Sequence, residues 1–193
     1  MKSYFESHDI TVTHSEDSSQ FNGNGLAAFD VVMFFNTTGN ILDSMQEQSL
    51  VNHIRSGKGF VGIHAASDTE YDWPWYAGLV GAQFASHPQI QEATLEKTDS
   101  LHQSTSHLPE RWSRTDEWYN FRQVPGNVKV LLKIDETTYE GGAHSENHPV
   151  SWCHEYDGGR SFYTAIGHTT ESFQDTMVLR HLLEAVKWAA KKG

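Results

Sequence analysis

Two short runs set the architecture. Asp30-Val31-Val32-Met33-Phe34-Phe35-Asn36 and Gly59-Phe60-Val61-Gly62-Ile63-His64 are apolar at consecutive rather than alternate positions, the pattern of strands covered on both faces in a parallel sheet. Between them Asp43 stands where a helix N-cap belongs, Met45, Leu50, Val51 and Ile54 recur on one side, and Gly57 follows as a stop, so a helix is predicted through Ser56. Strand, helix and strand in this order predict right-handed crossovers in a doubly wound α/β sheet. An earlier strand is predicted over Ile10-Thr11-Val12-Thr13, after a short amphipathic stub at residues 1–7, with a polar loop over residues 14–25.

The second half carries different periods. Residues 90–97 and 127–134 alternate like half-buried strands. Residues 150–156 and 161–166, joined through Gly158-Gly159, read as a hairpin. Leu179, Leu182, Leu183, Val186 and Trp188 mark the inner face of a last helix from Asp175 to about Lys191. An aromatic segment, Asp72-Trp73-Pro74-Trp75-Tyr76, predicts a short helix in an irregular, aromatic-rich middle section. No repeat or linker divides the 193 residues, which are read as one domain.

Charge and composition narrow the class. A net charge of −11 argues against a nucleic-acid partner, and no apolar run is long enough to span a bilayer. The single cysteine, Cys153, excludes an internal disulfide framework. With no apolar signal core in residues 1–8, it predicts a cytoplasmic protein. Six Trp, seven Tyr and ten Phe beside twelve His suit a site where polar groups sit next to flat apolar faces, the surfaces on which sugar rings stack.

Candidate chemistry gathers at strand ends, where open α/β sheets bind ligands. His64 and His168 each close an apolar strand, and Asn36 closes another. Parallel strands would put both imidazoles on one edge, as acid–base groups or as ligands of one divalent metal ion. Asp116-Glu117-Trp118-Tyr119-Asn120 combines two carboxylates with aromatic walls, so Glu117 is read as a base or metal ligand and Trp118 or Tyr119 as a sugar platform. His87 and His148 precede prolines, which hold them extended at the rim. Asp68 follows His64 into the same opening, and Glu171, three residues after His168, is placed to orient that imidazole. Arg111 and Arg114 are read as surface ion pairs. There is no G-x-S-x-G, H-E-x-x-H, P-loop or C-x-x-C pattern, and Cys153 falls mid-strand, so covalent catalysis has no strong candidate.

Asn36-Thr37-Thr38-Gly39, Gly59 through Ala66, Tyr71 through Tyr76, Thr115 through Phe121 and Gly167-His168-Thr169 together resemble the ThuA-like (trehalose utilisation) family over nearly the whole chain. The resemblance implies a flavodoxin-like, mostly parallel sheet related to class I glutamine amidotransferases. In those relatives a strand-end turn carries a nucleophilic Cys, and a later strand carries a catalytic His followed by a Glu. His64 falls at the Cys position, His168 at the His and Glu171 near the Glu, which implies that glutaminase activity is absent. It also implies a bacterial role in carbohydrate catabolism, on a disaccharide or 3-keto-disaccharide related to trehalose, by His/carboxylate acid–base or metal-assisted chemistry. Trp73, Trp75, Trp118 and Tyr119 would then be sugar walls. The alternative is a non-catalytic carbohydrate-binding or regulatory module on a degenerate amidotransferase scaffold. Family members begin with a further strand, loop and helix before the equivalent of Ile10. This implies an N-terminally truncated domain and a homo-oligomer that completes the sheet edge.

Overall fold

The computed structural model describes residues 1–22 and 25–191. After a short helix α1 (Lys2–Glu6), the strands are β1 (Val31–Phe35), β2 (Gly59–Ile63), β3 (Phe84–Ser86), β4 (Gln91–Lys97), β5 (Arg111–Asp116), β6 (Asn120–Phe121), β7 (Lys129–Asp135), β8 (Pro149–Tyr156) and β9 (Gly159–Thr164). Helices α2 (Ser44–Arg55), α3 (Pro74–Val80) and α4 (Thr176–Ala189) complete the regular structure. Seven strands form one sheet in the order β1-β2-β9-β8-β7-β4-β5, and β3 pairs with β6 in a separate ribbon. The α/β class holds, but the sheet is mixed: β1–β2 and β2–β9 are parallel, and every pair from β9 to β5 is antiparallel. The difference follows from connection length, because β8 and β9 are joined by a two-residue turn that only an antiparallel pair can close.

Local chemistry explains the elements that were predicted. Asp43 caps α2 in a reciprocal capping box with Gln46, and Asp175 caps α4. Leu50, Val51 and Ile54 are buried as expected, whereas Met45 lies on the solvent side. Asp157-Gly158, both at positive φ, make the hairpin turn one residue earlier than the Gly158-Gly159 reading. Every residue of β2 is buried. Gly59 is required there, because a Cβ would stand 2.6 Å from the Ala189 carbonyl oxygen of α4. α4 covers one sheet face, its His181 ring 5.3 Å from Phe162. α3 covers the other, where the Val80 carbonyl accepts from Trp152 Nε1.

Ile10–Thr13 is irregular and is not a strand, since it finds no ladder partner among the described residues. Within the predicted loop over 14–25, Gly23 and Asn24 lie outside the described residues.

The antiparallel half does not lie flat. Four strand steps separate β9 from β5, roughly 19 Å in a planar sheet, yet Asp116 at the end of β5 accepts from the Gly167 amide beyond β9 at 3.0 Å. The sheet curls around α4, and the curl is fastened by Arg114 to Asp175 at 3.3 Å, Gln103 Nε2 to the Glu184 carbonyl and His107 Nε2 to the Met177 carbonyl. Arg114 is therefore buried, not a surface ion pair. Arg111 pairs on the surface with Glu96 and Asp135.

Three buried imidazoles, one on α2 itself and two under this curl, tie stability to pH. Burial, the largest cause in each, holds His53, His102 and His181 at about 4, against about 6.5 in the unfolded chain. The unfolded state then binds more protons between these values. The stabilising contribution is complete above pH 6.5 and is lost as pH falls toward 4. Denaturant unfolding at pH 7 and pH 5 should show a loss of roughly 1–2 kcal/mol per imidazole, and equal midpoints would contradict the buried-neutral assignment.

Candidate functional site

Three neighbouring strands end in the same unusual way. The residues closing β1 and β2 are Asn36 (φ 52°) and His64 (φ 50°), and β9 is followed by Gly167 (φ 130°), all in left-handed or related backbone conformations. For the two non-glycine residues this costs on the order of 1 kcal/mol or more each, so the surroundings must hold them. The His64 carbonyl accepts from Tyr163 Oη at 2.8 Å, and Ser67 Oγ lies 2.9 Å from the same phenol. Asn36 Nδ2 reaches across the end of β2 to the Gly167 carbonyl at 3.0 Å. Only glycine fits at 167, because a Cβ would stand 2.9 Å from Ile63 and 3.0 Å from Phe173.

These turns bring His64 and His168 together, and Glu117 joins them. His64 Nε2 lies 3.1 Å from Glu117 Oε2 and 3.2 Å from His168 Nδ1, and the third side of the triangle is also 3.2 Å. His64 Nδ1 donates to the Ala165 carbonyl at 2.8 Å. Burial lowers the His64 pKa, opposed by that bond and by Asp116 and Glu117, so the neutral ring presents a bare Nε2 lone pair. A proton on any one of the three atoms serves two contacts and leaves the other two acceptors facing each other. A cation satisfies all three at once. The 3.1–3.2 Å edges match the roughly 3.0–3.4 Å separations of ligand atoms around a divalent ion with bonds of about 2.0–2.2 Å. His64 and Glu117 are buried, and the His168 side chain is 41% exposed, which leaves an open side. Two His and one carboxylate with open positions suit Zn, Mn or Fe(II) better than an all-oxygen Mg site.

Around the triangle, Glu117 Oε1 faces His87 Nδ1 at 3.1 Å. His87, Pro88, Gln89, Ile90, Gln91, Glu140 and Gly141 line a cavity of about 700 Å³ that reaches Glu117. Tyr119 packs its ring 4.0 Å from that of His64 and 4.3 Å from Phe84. Asp68 accepts from Tyr71 Oη at 2.5 Å and Thr38 Oγ1 at 2.7 Å. On the β1 side an aromatic pair absent from the sequence reading, Phe35 and Phe173 at 5.0 Å, flanks Asn36 and Gly167. Phe35 is an exposed apolar strand end, and that exposure can be read only once β1 is known to be an outer strand.

Other predicted site residues lie elsewhere. Trp118 is fully buried, with Nε1 donating to the Gln91 carbonyl, and is a core residue. Trp73 and Trp75 stack on each other at 5.1 Å, and Trp75 Nε1 donates to Asp157 in the β8–β9 turn, at the sheet edge opposite His64. His148 is not at a rim. It is fully buried between Glu136 (2.6 Å) and the Tyr119 carbonyl (2.8 Å), where it fixes the Tyr119 backbone from behind. Glu171 is exposed on the turn after His168, and Ser172 is the residue that folds inward. Asp116 is buried with both oxygens engaged by donors, so it has no free face for substrate. Cys153 is buried, and burial pushes its thiol up to about 12, the opposite of an activated nucleophile.

The fold and site together define a flavodoxin-like α/β protein with a polar cluster at the carboxyl ends of its parallel strands. The chain belongs to the ThuA family, described as trehalose utilisation, whose model matches residues 1–189, and this gives it a carbohydrate-related role. Similar solved structures include a ThuA-like protein from Bacteroides uniformis, 23% identical, with TM-score 0.81 over 97% of this chain and 81% of that one. Another ThuA-like protein, from Parabacteroides merdae, is 21% identical, with TM-score 0.74 over 95% and 78%. A cytoplasmic protein from Salmonella typhimurium LT2 is 11% identical, with TM-score 0.68 over 97% and 86%. At these identities the likeness shows the fold. No curated protein matches the sequence. Among the described residues no helix is long and apolar enough to cross a membrane.

Tyr163→Phe removes the shorter of the two donors that brace the His64 carbonyl and leaves it to Ser67 Oγ at 3.3 Å. It should cost about 0.5–1.5 kcal/mol in urea unfolding and shift the His64 imidazole resonances in NMR. An unchanged spectrum would show that the turn holds itself.

Proposed function

We propose that this protein is an enzyme of carbohydrate catabolism that acts on a disaccharide or 3-keto-disaccharide related to trehalose, with one divalent cation held by His64, Glu117 and His168. The observation that carries the reading is the near-equilateral triangle of three ligand atoms, 3.1–3.2 Å on each side, whose three edges no single proton satisfies. The adjoining cavity of about 700 Å³ is of a size for a small sugar, and the family description supplies the substrate class.

A cation held there supplies Lewis acidity, polarising a carbonyl or lowering the pKa of a bound water. The residues do the rest. The Ala165 carbonyl fixes the His64 tautomer so that Nε2 stays a ligand. Glu117 brings the compensating negative charge with Oε2 and meets His87 with Oε1. His168, the exposed member, borders the side by which substrate enters. Asn36 Oδ1 is buried without a partner and offers an acceptor to a sugar hydroxyl. The rings of Phe35 and Phe173 offer flat faces to sugar C–H groups, whereas Tyr119 is buried between His64 and Phe84 and backs the imidazole. We further propose a cytoplasmic setting, supported by the lone reduced cysteine and by the description of the Salmonella relative.

Metal analysis of purified protein, calorimetry with Mn²⁺ and Zn²⁺, and product assays on trehalose and 3-keto-trehalose test the reading. The expected result is one cation per chain and turnover, both lost in His64→Ala. Sugar binding without turnover in metal-loaded protein would favour the carbohydrate-binding module instead. Failure to bind either cation overturns the proposal.

A further inference from the structure

We infer that Asp116 is a positioning residue that sets the spacing of the ligand triangle, by tying the backbones of two of its members to a single carboxylate. The inference rests on the cation reading above. Asp116 is completely buried. Its Oδ1 accepts from the Glu117 amide and the His168 amide, both at 3.0 Å. Its Oδ2 accepts from the Gly167 amide at 3.0 Å, Ser172 Oγ at 2.8 Å and Arg114 Nη2 at 3.3 Å. Five donors on four lone-pair positions leave nothing for a substrate or a proton. The charge is matched by Arg114, which also reaches Asp175 at the start of α4.

Geometry makes this carboxylate consequential. Glu117 follows β5 and His168 follows β9, and those strands stand four places apart in the sheet. Without a tie at this edge, nothing in the strand ladder fixes one against the other. Asp116 Oδ1 is a single point bonded to both main chains, so the separation of the Glu117 and His168 side chains is set within one hydrogen-bonded unit. Ligands must be held to about 0.5 Å for a cation site to work, and partners behind ligands commonly govern affinity by 10–100-fold.

Cobalt(II) is the probe, read by its d–d absorption and by affinity, with thermal stability measured metal-free in parallel. Asp116→Asn keeps the shape but turns one acceptor oxygen into an NH₂ facing N–H donors. It should weaken Co²⁺ binding by roughly 10–100-fold and change the absorption spectrum. Ser172→Ala removes one donor and is milder. It keeps the test open if Asp116→Asn does not fold, and a several-fold loss is expected. Val186→Ala, a core truncation near the far end of α4 from Asp175, should lower stability and leave affinity and spectrum unchanged. If wild type binds Co²⁺ and both Asp116→Asn and Ser172→Ala bind it equally well with the same spectrum, the positioning inference is overturned and the cation reading stands. If wild type takes up no Co²⁺, the cation reading itself fails.

Discussion

The curl of the sheet around α4 is the constraint on which the rest depends. A flat seven-stranded sheet would leave β5 far from the parallel strands, and the two imidazoles would face each other with no carboxylate between them. Curling costs pleat regularity and buries an arginine. Both are offset by the closed network of Arg114, Asp116, Ser172 and Asp175, in which the buried charges are paired and hydrogen-bonded. Removing Arg114 or Asp116 would leave the other as a buried charge without its partner, so these two behave as a unit rather than as a sum of bonds.

What was legible in the sequence was local. The apolar runs of β1 and β2, the Asp43 cap and the last helix each depend on neighbours a few residues away and formed where the pattern indicated, and the glycine hairpin turn formed one residue earlier. That His64 and His168 share an edge follows from two strands running the same way, which the periodicity also carried. Glu117 stood out because carboxylates beside aromatics are costly to bury.

What was not legible was long-range. Ile10–Thr13 has a strand's composition, but a strand exists only where a ladder partner does. Trp73 and Trp75 follow the His64 turn closely in sequence, yet the segment leading into α3 carries Trp75 back to the far edge of the sheet. The proline after His148 reads as a rim loop, although the same extended backbone also suits the start of a buried strand. β5 held a usable signal. Trp112, Arg114 and Asp116 alternate with exposed Arg111, Ser113 and Thr115, a half-buried strand whose inward face happens to be charged. Charge on an inward face reads as surface until its partner, here 61 residues away in Asp175, is known.

The left-handed turns at Asn36, His64 and Gly167 carry one more consequence. They fix the floor of the site in main chain: the His64 carbonyl is braced by Tyr163 Oη and Ser67 Oγ, bonds in which the imidazole takes no part. Such a floor works as a socket. The group mounted at 64 can be exchanged, imidazole for some other reactive group, without rebuilding the strands beneath it. A scaffold of this kind can therefore change its chemistry by single substitutions while its architecture stays the same.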